Sequence, residues 1–239
     1  MPATDQPIVW VTGASRGIGA AVASAFAARG AHVVLTGRNI SALRKKTKEI
    51  RDLGGEVSWL RCDVQEEKSV AFTCRTISRR FGAVDILVNN AGVTYFKPFD
   101  KTTVQDFDHV VGTNLRGLFL ATKSVLGGMM MRKNGVIVNI LSVSAITTFK
   151  NSSAYSASKA GALALSRGLR AEVRKSGVRI IDILPGAVET TMWDREERKR
   201  YHSRMMQPED VAEIVIAAIH SPKRLLTEEI IIRPTSGDL

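Results

Sequence analysis

Short apolar runs alternate with amphipathic stretches along the whole chain, and this alternation limits the available folds more than any other feature. Ile8–Thr12, Ala31–Thr36, Val57–Arg61, Val84–Val88, Val136–Ile140, Val178–Leu184 and Glu229–Ile232 read as strands. Between them, helical patterns run through Ala28, Ser41–Leu53, Glu66–Phe81, Lys101–Arg132, the stretch around Tyr155, and Glu209–His220. The sixth run is almost unbroken in its apolar character, which suits a strand covered on both faces. Strands alternating with helices predict an α/β fold built on a doubly wound parallel sheet. No composition break, repeat or low-complexity tract divides the chain, so residues 1–239 are expected to form a single domain.

A chain of this length buries roughly three quarters of its unfolded surface and needs no staples. Cys62 and Cys74 form neither a metal spacing nor a disulfide framework, and they read as the reduced thiols of a cytoplasmic protein. No signal pattern opens the chain, and no apolar run is long enough to span a membrane. The net charge is +11, but the basic residues are scattered and aromatics make up only 6% of the chain. Without a base-stacking platform, the charge points to solvated faces and an anionic cofactor or substrate rather than to nucleic acid.

The first run ends in Gly13-Ala14-Ser15-Arg16-Gly17-Ile18-Gly19. Strand, glycine turn and helix in that order aim a helix N-terminus at whatever binds there, and such ends suit phosphate. The spacing departs from G-x-G-x-x-G, and no Gly-Lys-Ser/Thr of a P-loop follows. The second run leads into Gly37-Arg38, where an acid would otherwise hold a ribose 2′-hydroxyl. Arg38 together with Arg16 suits a 2′-phosphate, which an acid would repel. Asp63, just past the third run, either accepts from an adenine amino group or caps the next helix. Asn89-Asn90-Ala91-Gly92 suits a loop that backbone and ligand approach closely. Asn114 sits inside a helical pattern, an unfavourable place unless its side chain has a task. Met129, Met130 and Met131 read as helix-end packing.

Tyr155 and Lys159 are four residues apart in a stretch of small residues. A helix there puts phenol and ammonium on one face, about 5–6 Å apart at Cβ. A free phenol, with a pKa near ~10, is a poor proton shuttle at neutral pH, and a neighbouring cation lowers that value. The pair suits acid/base work on an oxygen.

Together these pieces resemble the short-chain dehydrogenase/reductase family in its single-domain, Rossmann-like form. The matching residues are Thr12-Gly13-Ala14-Ser15-Arg16-Gly17-Ile18-Gly19, Asp63-Val64, Asn89-Asn90-Ala91-Gly92, Asn114, Ser142, Tyr155-x-x-x-Lys159 and Pro185-Gly186-x-Val188-x-Thr190. The resemblance implies that Tyr155 donates a proton to a carbonyl oxygen held by Ser142. It also implies that Lys159 binds the nicotinamide ribose and lowers the Tyr155 pKa, and that Asn114 holds a water leading to solvent. It places Gly13, Ser15, Arg16, Gly17, Ile18 and Gly19 at the pyrophosphate and adenosine, and Asp63 and Val64 at the adenine. Asn90, Ala91 and Gly92 fall beside the adenosine ribose, and Pro185, Gly186, Val188 and Thr190 against the nicotinamide carboxamide. The Arg16 and Arg38 pair is similar to that of members preferring the phosphorylated cofactor.

The expected function is therefore hydride transfer between NADP(H) and a small carbonyl or alcohol substrate, in the form of an NADPH-dependent ketone or aldehyde reductase. Reduction of 3-oxoacyl thioesters is an alternative, weakened by a tail (Glu229–Leu239) that lacks the glycine-rich ending of many such members. A non-catalytic NADPH-binding regulator is another. A segment at about 186–206 is expected to cover the substrate, with Met192 and Trp193 as apolar wall and Asp194–Arg200 as a solvated helical face. Thr94, Tyr95, Phe96, Phe149 and Ser144 are further pocket candidates, and His202 reads as a surface residue. The resemblance also implies a homo-oligomer, tetramer or dimer, built through Lys101–Arg132 and Ala154–Lys175.

Overall fold

The computed structural model describes residues 6–222 and 224–238. Seven parallel strands form one sheet in the order β3-β2-β1-β4-β5-β6-β7. They are β1 Ile8–Thr12, β2 His32–Gly37, β3 Val57–Arg61, β4 Ile86–Asn89, β5 Gly135–Ile140, β6 Val178–Pro185 and β7 Glu229–Ile232. The helices between them are α1 Gly17–Ala27, α2 Ile40–Asp52, α3 Glu67–Arg80, α4 Val104–Val111, α5 Gly117–Arg132, α6 Ser153–Val173, α7 Arg195–Tyr201 and α8 Pro208–Ile219. The doubly wound α/β fold expected from the alternation is the one observed.

Strand periodicity sorts the core into two layers. Val9 and Val11 of β1, Val33 and Leu35 of β2 and Val136 and Val138 of β5 face α1 and α8. Their neighbours Ile8, Trp10, Val34 and Ile137 face α3, α5 and the end of α6. Both faces are covered, so the strands tolerate almost no polar residue. One row of polar residues crosses the sheet in register: Asn89 pairs with Asn139, Asn139 with Asp182, and Asp182 with Glu229. The buried amides and carboxylate of this row are linked by hydrogen bonds, although Asn89 Oδ1 is left without a partner among the described residues. Asn89 Nδ2 donates to Asn139 Oδ1 at 2.9 Å, and Asn139 Nδ2 to Asp182 Oδ1 at 2.8 Å.

The stretch 101–132 differs from one long helix. Phe99–Lys101 is a 3-10 turn, Thr103 caps α4 reciprocally with Asp106, and Gly112–Arg116 is a π turn joining α4 to α5. The two glycines that bracket this turn have a packing reason. A Cβ on Gly112 would lie 2.8 Å from Gln65 Oε1, and one on Gly117 would lie 2.7 Å from Val64 Cγ2. The β3–α3 connection presses against the helix there. Of the three methionines at the end of α5, only Met129 is buried; Met131 is 85% exposed. The packing expectation holds for Met129 alone. Among the described residues no helix is long and apolar enough to cross a membrane.

Candidate active site

The strand order reverses at β1, where β2 lies on one side and β4 on the other. Ligands of such sheets bind beyond the carboxyl ends of the strands at this point. A cleft of about 790 Å³ opens there and extends along the ends of β4, β5 and β6.

Its first half is built from backbone. Gly13 and Gly17 have φ of +64° and +55°, a region that only glycine enters without strain, and they turn the chain from β1 into α1. Arg16 is the N-cap of α1 and offers no side-chain cap, so the first amides of the helix stay available. Thr12 Oγ1 accepts from the amides of Asn90 and Ala91 at 3.0 and 3.1 Å, pinning the β4 loop to the end of β1. Ser15, Arg16, Ile18, Arg38, Asp63, Val64, Asn90, Ala91 and Gly92 all line this half. Arg16 and Arg38 are exposed at its rim. Asp63 does not cap α3: its Oδ1 accepts from the Gln65 amide at 3.1 Å, while the N-cap is Glu66. Gly19 is absent from the cleft wall. It stands behind Asn90, and a Cβ there would lie 2.3 Å from Asn90 Nδ2, so this glycine makes room for a side chain that shapes the floor.

The second half carries titratable groups. Ser142 follows β5 in extended backbone, and its Oγ accepts from the Ser144 amide at 3.0 Å. Tyr155 and Lys159 lie one turn apart on α6, and both are buried. Burial pushes the Tyr155 phenol up, partly offset by the neighbouring Ser142 hydroxyl. Burial also pulls Lys159 down to about 8. Lys159 Nζ donates to the Ile140 carbonyl at 2.9 Å and sits 5.8 Å from the Tyr155 ring centroid. The expected lowering of the phenol pKa by Lys159 is thus not seen in this geometry. Desolvation is the largest influence on the phenol, and one of the three Lys159 N–H donors is taken by a backbone oxygen.

Asn114 lies behind the wall in the π turn. Its Oδ1 accepts from the Val93 amide at 2.8 Å, and its Nδ2 donates to the Val93 carbonyl and to Ser158 Oγ, each at 2.9 Å. The side chain clamps the β4 loop to α6, which is the task its helical position called for. Gly92 is pressed into this corner, its Cβ position 3.4 Å from Asn114 Oδ1 and 3.7 Å from Lys159 Nζ.

Pro185 ends β6, and Pro185, Gly186, Val188 and Thr190 line the far end of the cleft. Val188 bridges to Met206, with the Glu189 amide donating to the Met206 carbonyl at 2.8 Å, so residues 189–206 leave the sheet and return to the same point. Thr94, Tyr95, Phe96, Phe149, Ser144, Met192 and Trp193 line the cleft as anticipated. His202 does not; it is exposed and bonds Glu189 Oε2 at 2.7 Å.

Among the lining residues that escaped the sequence reading are His109, Thr113, Glu197 and Asp238. Thr113 adjoins Asn114 and is brought in by the π turn, which has no sequence signal of its own. Glu197 lay within a run read as solvated, and one turn of α7 brings it to the mouth. Asp238 arrives because the chain after β7 folds over Gly186, whose Cβ position is 3.1 Å from Pro234 Cδ.

The fold and cleft define a dinucleotide-binding oxidoreductase architecture, and the comparisons give its kinship. The short chain dehydrogenase family model matches residues 7–201, and the chain belongs to that family. It is 39% identical over 239 residues to a sepiapterin reductase of Chlorobaculum tepidum, covering 97% of this chain and 98% of that protein. Among solved structures, actinorhodin polyketide ketoreductase with NADPH superposes with a TM-score of 0.91 at 30% identity, covering 100% of both chains. An alcohol dehydrogenase from the archaeon Thermococcus sibiricus, complexed with 5-hydroxy-NADP, gives 0.89 at 29% identity, covering 98% of this chain and 99% of that one.

Proposed function

We propose that the chain is an NADPH-dependent reductase of small ketones and aldehydes. The observation that carries this reading is one cleft with two chemically distinct halves. An uncapped helix start flanked by Arg16 and Arg38 lies at one end, and a buried phenol in the company of Ser142 and Lys159 lies at the other.

The residues present fit NADP(H). Gly13 leaves no room for a side chain, its Cβ position being 2.8 Å from Ala91 Cα, so bare backbone lines the place where a pyrophosphate approaches. Gly13, Ser15, Gly17 and Ile18 hold the diphosphate with the α1 amides, and Arg16 and Arg38 take the 2′-phosphate. Asp63 and Val64 take the adenine, and Asn90, Ala91 and Gly92 the adjoining ribose. Tyr155 and Lys159 hold the nicotinamide ribose, and Pro185, Gly186, Val188 and Thr190 the nicotinamide. NADP-bound structural relatives support the same choice.

When bound, the cofactor supplies the hydride. The protein supplies the proton and the orientation. Ser142 holds the carbonyl oxygen, and Tyr155 gives its proton to it. Tyr155 is protonated at neutral pH, as a donor must be, while burial makes it a weaker acid and the neighbouring Ser142 hydroxyl offsets part of that push. Acid catalysis of this kind contributes about 10²–10⁴-fold, and positioning and the cofactor provide the rest. Residues 186–206 cover the substrate. The exposed Phe99, Phe107 and Phe119 along the α4–α5 stretch support assembly into a homo-oligomer, and the free thiols Cys62 and Cys74 support a cytoplasmic setting.

The test is a carbonyl and alcohol screen followed at the nicotinamide absorbance, with NADPH and NADH in parallel and the substrate named for the C. tepidum relative included. Tyr155→Phe is expected to lose about 10²-fold or more in kcat while still binding NADPH. A variant that keeps most of its activity removes Tyr155 from the chemistry. Tight NADPH binding without turnover across the screen makes the chain a binding protein instead.

A further inference from the structure

Among the described residues, two that are not glycine have a left-handed backbone: Lys133, with φ of +52°, and Asn151, with φ of +63°. Lys133 closes α5 in the conformation in which many helices end, just ahead of β5 and at the opposite end of the sheet from the cleft. Asn151 ends no helix. It lines the cleft and stands two residues ahead of α6. A Cβ disfavours this region of φ, and asparagine is among the residues that enter it most readily. Such a backbone persists where the surrounding structure imposes it.

The structure imposed at Asn151 is a three-way joint. Its carbonyl accepts from the Lys97 amide at 2.9 Å, which binds the corner to the loop after β4. Lys97 Nζ in turn reaches Asp106 Oδ2 at 2.7 Å, and Asp106 caps α4. On the other side the corner hands the chain to α6. Ser152 is the N-cap of that helix yet makes no side-chain cap. Its hydroxyl turns back to the Phe149 carbonyl at 2.7 Å and meets Ser156 Oγ at 3.0 Å. A serine there ordinarily bonds an amide of the first turn and fixes where the helix begins. Here the backbone just before it has that task. Three residues separate Asn151 from Tyr155, and Phe96, next to Lys97, meets the Tyr155 ring at 6.4 Å. Ser142 hangs from the end of β5, a different element. The alignment of Ser142 with Tyr155 therefore depends on how the chain turns at residue 151.

Resting on the reductase reading above, we infer that Asn151 is a positioning residue for the reaction and acts through its backbone. Its left-handed corner sets the first turn of α6 and so aims the Tyr155 hydroxyl at the oxygen that Ser142 holds. The side chain contributes by permitting that corner. A residue driven to negative φ swings the 151 carbonyl away from Lys97 and lets the start of α6 shift against β5. A misplacement of about 1 Å in a reacting group costs about 10²-fold in rate. The glycine turn and the Arg16 and Arg38 rim hang from β1 and β2 and are untouched by this joint.

The experiment compares Asn151→Gly, Asn151→Val and Lys133→Val with wild type. Glycine accepts a left-handed φ freely, and valine, branched at Cβ, resists it. Both valine variants should melt below wild type, because both place valine in the same disfavoured region. Only Asn151→Val should lose kcat, by about tenfold, while its NADPH Kd stays within about threefold. Asn151→Gly should keep kcat within about threefold of wild type. Amide hydrogen exchange gives a readout independent of turnover. Protection at Lys97 and at Ser156, whose amide donates to the Ser152 carbonyl at 2.7 Å, should fall about tenfold in Asn151→Val alone. Asn151→Ala, the milder intrusion, replaces a valine variant that does not fold. The inference is overturned by full kcat in Asn151→Val, by an equal loss in Lys133→Val, or by a loss in Asn151→Gly as large as in Asn151→Val. If wild type reduces no carbonyl at all, the function reading falls. Hydrogen exchange then decides the corner, with lost protection confined to Asn151→Val upholding it and unchanged protection overturning it.

Discussion

The side chain of Asn90 occupies the space that a methyl group on Gly19 would need. Asn90 Nδ2 donates to the carbonyl oxygens of Thr12 at 2.9 Å and Gly13 at 3.1 Å, lacing the β4 loop to the glycine turn directly above α1. A Cβ on Gly19 would stand 2.3 Å from that nitrogen and 2.8 Å from the Gly13 oxygen. Gly19→Ala therefore has to break the lacing or shift the turn. Overpacking of this kind costs about 1–3 kcal/mol. For a chain of this size that is a fall in Tm of roughly 2–4 °C per kcal/mol. Thermal melts should show the drop, and NADPH binding should weaken with it, although Gly19 itself lies outside the cleft wall.

Much of this site was legible in the sequence because backbone requirements leave marks. Gly13 and Gly17 announce their left-handed turns, and Asn114 announces its task by sitting where asparagine is costly in a helix. Gly19 has a packing reason that the sequence hides, since a glycine that admits a neighbouring side chain reads like one that admits a ligand. Asp182 was passed over inside an apolar strand. Its partners Asn139, Ser166 and Arg170 come from β5 and α6, and only the register of the sheet brings them together. Asp238 and Glu197 reach the cleft through tertiary folding of the tail and of α7, which local pattern does not encode.

Arg38 stands at the exposed rim beside Arg16. A 2′-phosphate there gains charge-assisted hydrogen bonds. A carboxylate in its place repels that phosphate and accepts from a free 2′-hydroxyl. Arg38→Asp should weaken NADPH and improve NADH, moving the ratio of their kcat/KM values by about tenfold or more, since losing one charged hydrogen bond costs about 1.5–3 kcal/mol. Wild-type NADPH affinity should also fall with added salt, because both guanidinium groups face solvent. An unchanged cofactor ratio would place Arg38 away from the phosphate.

Lys159 gives a pH signature. Its folded value, about 8, lies below the ordinary 10.5, because burial disfavours the ammonium. Between those values the unfolded chain binds more protons than the folded one, so this group makes stability rise with pH. Its burial penalty is fully present below about pH 8 and is lost as pH approaches the unfolded value. Lys159→Met removes the effect. The stability of the variant relative to wild type should therefore decline by roughly 2–3 kcal/mol between pH 7 and pH 10. Denaturant melts at the two pH values measure the difference directly, and a constant offset would mean that the amine titrates alike in both states.

Asp182 has no exposed surface, and its Oδ2 accepts from Arg170 Nη2 at 2.6 Å. Its Oδ1 is filled by Asn139 at 2.8 Å and Ser166 at 2.7 Å. Burial raises the Asp182 pKa, and these three partners pull it back. Arg170→Met strips the cation that contacts a fully buried carboxylate, and breaking a buried pair from one side costs about 3–5 kcal/mol. Asp182→Asn alone leaves a guanidinium that still bonds the carbonyls of Ile180 and Glu228 and keeps Glu229 nearby, so it should cost less. Combining the two substitutions should recover part of the Arg170→Met loss, because no unpaired charge then remains inside. A double-mutant cycle by denaturant unfolding reads the coupling. Simple additivity of the two changes would show that Arg170 stabilises β6 through its carbonyl bonds and not through the carboxylate.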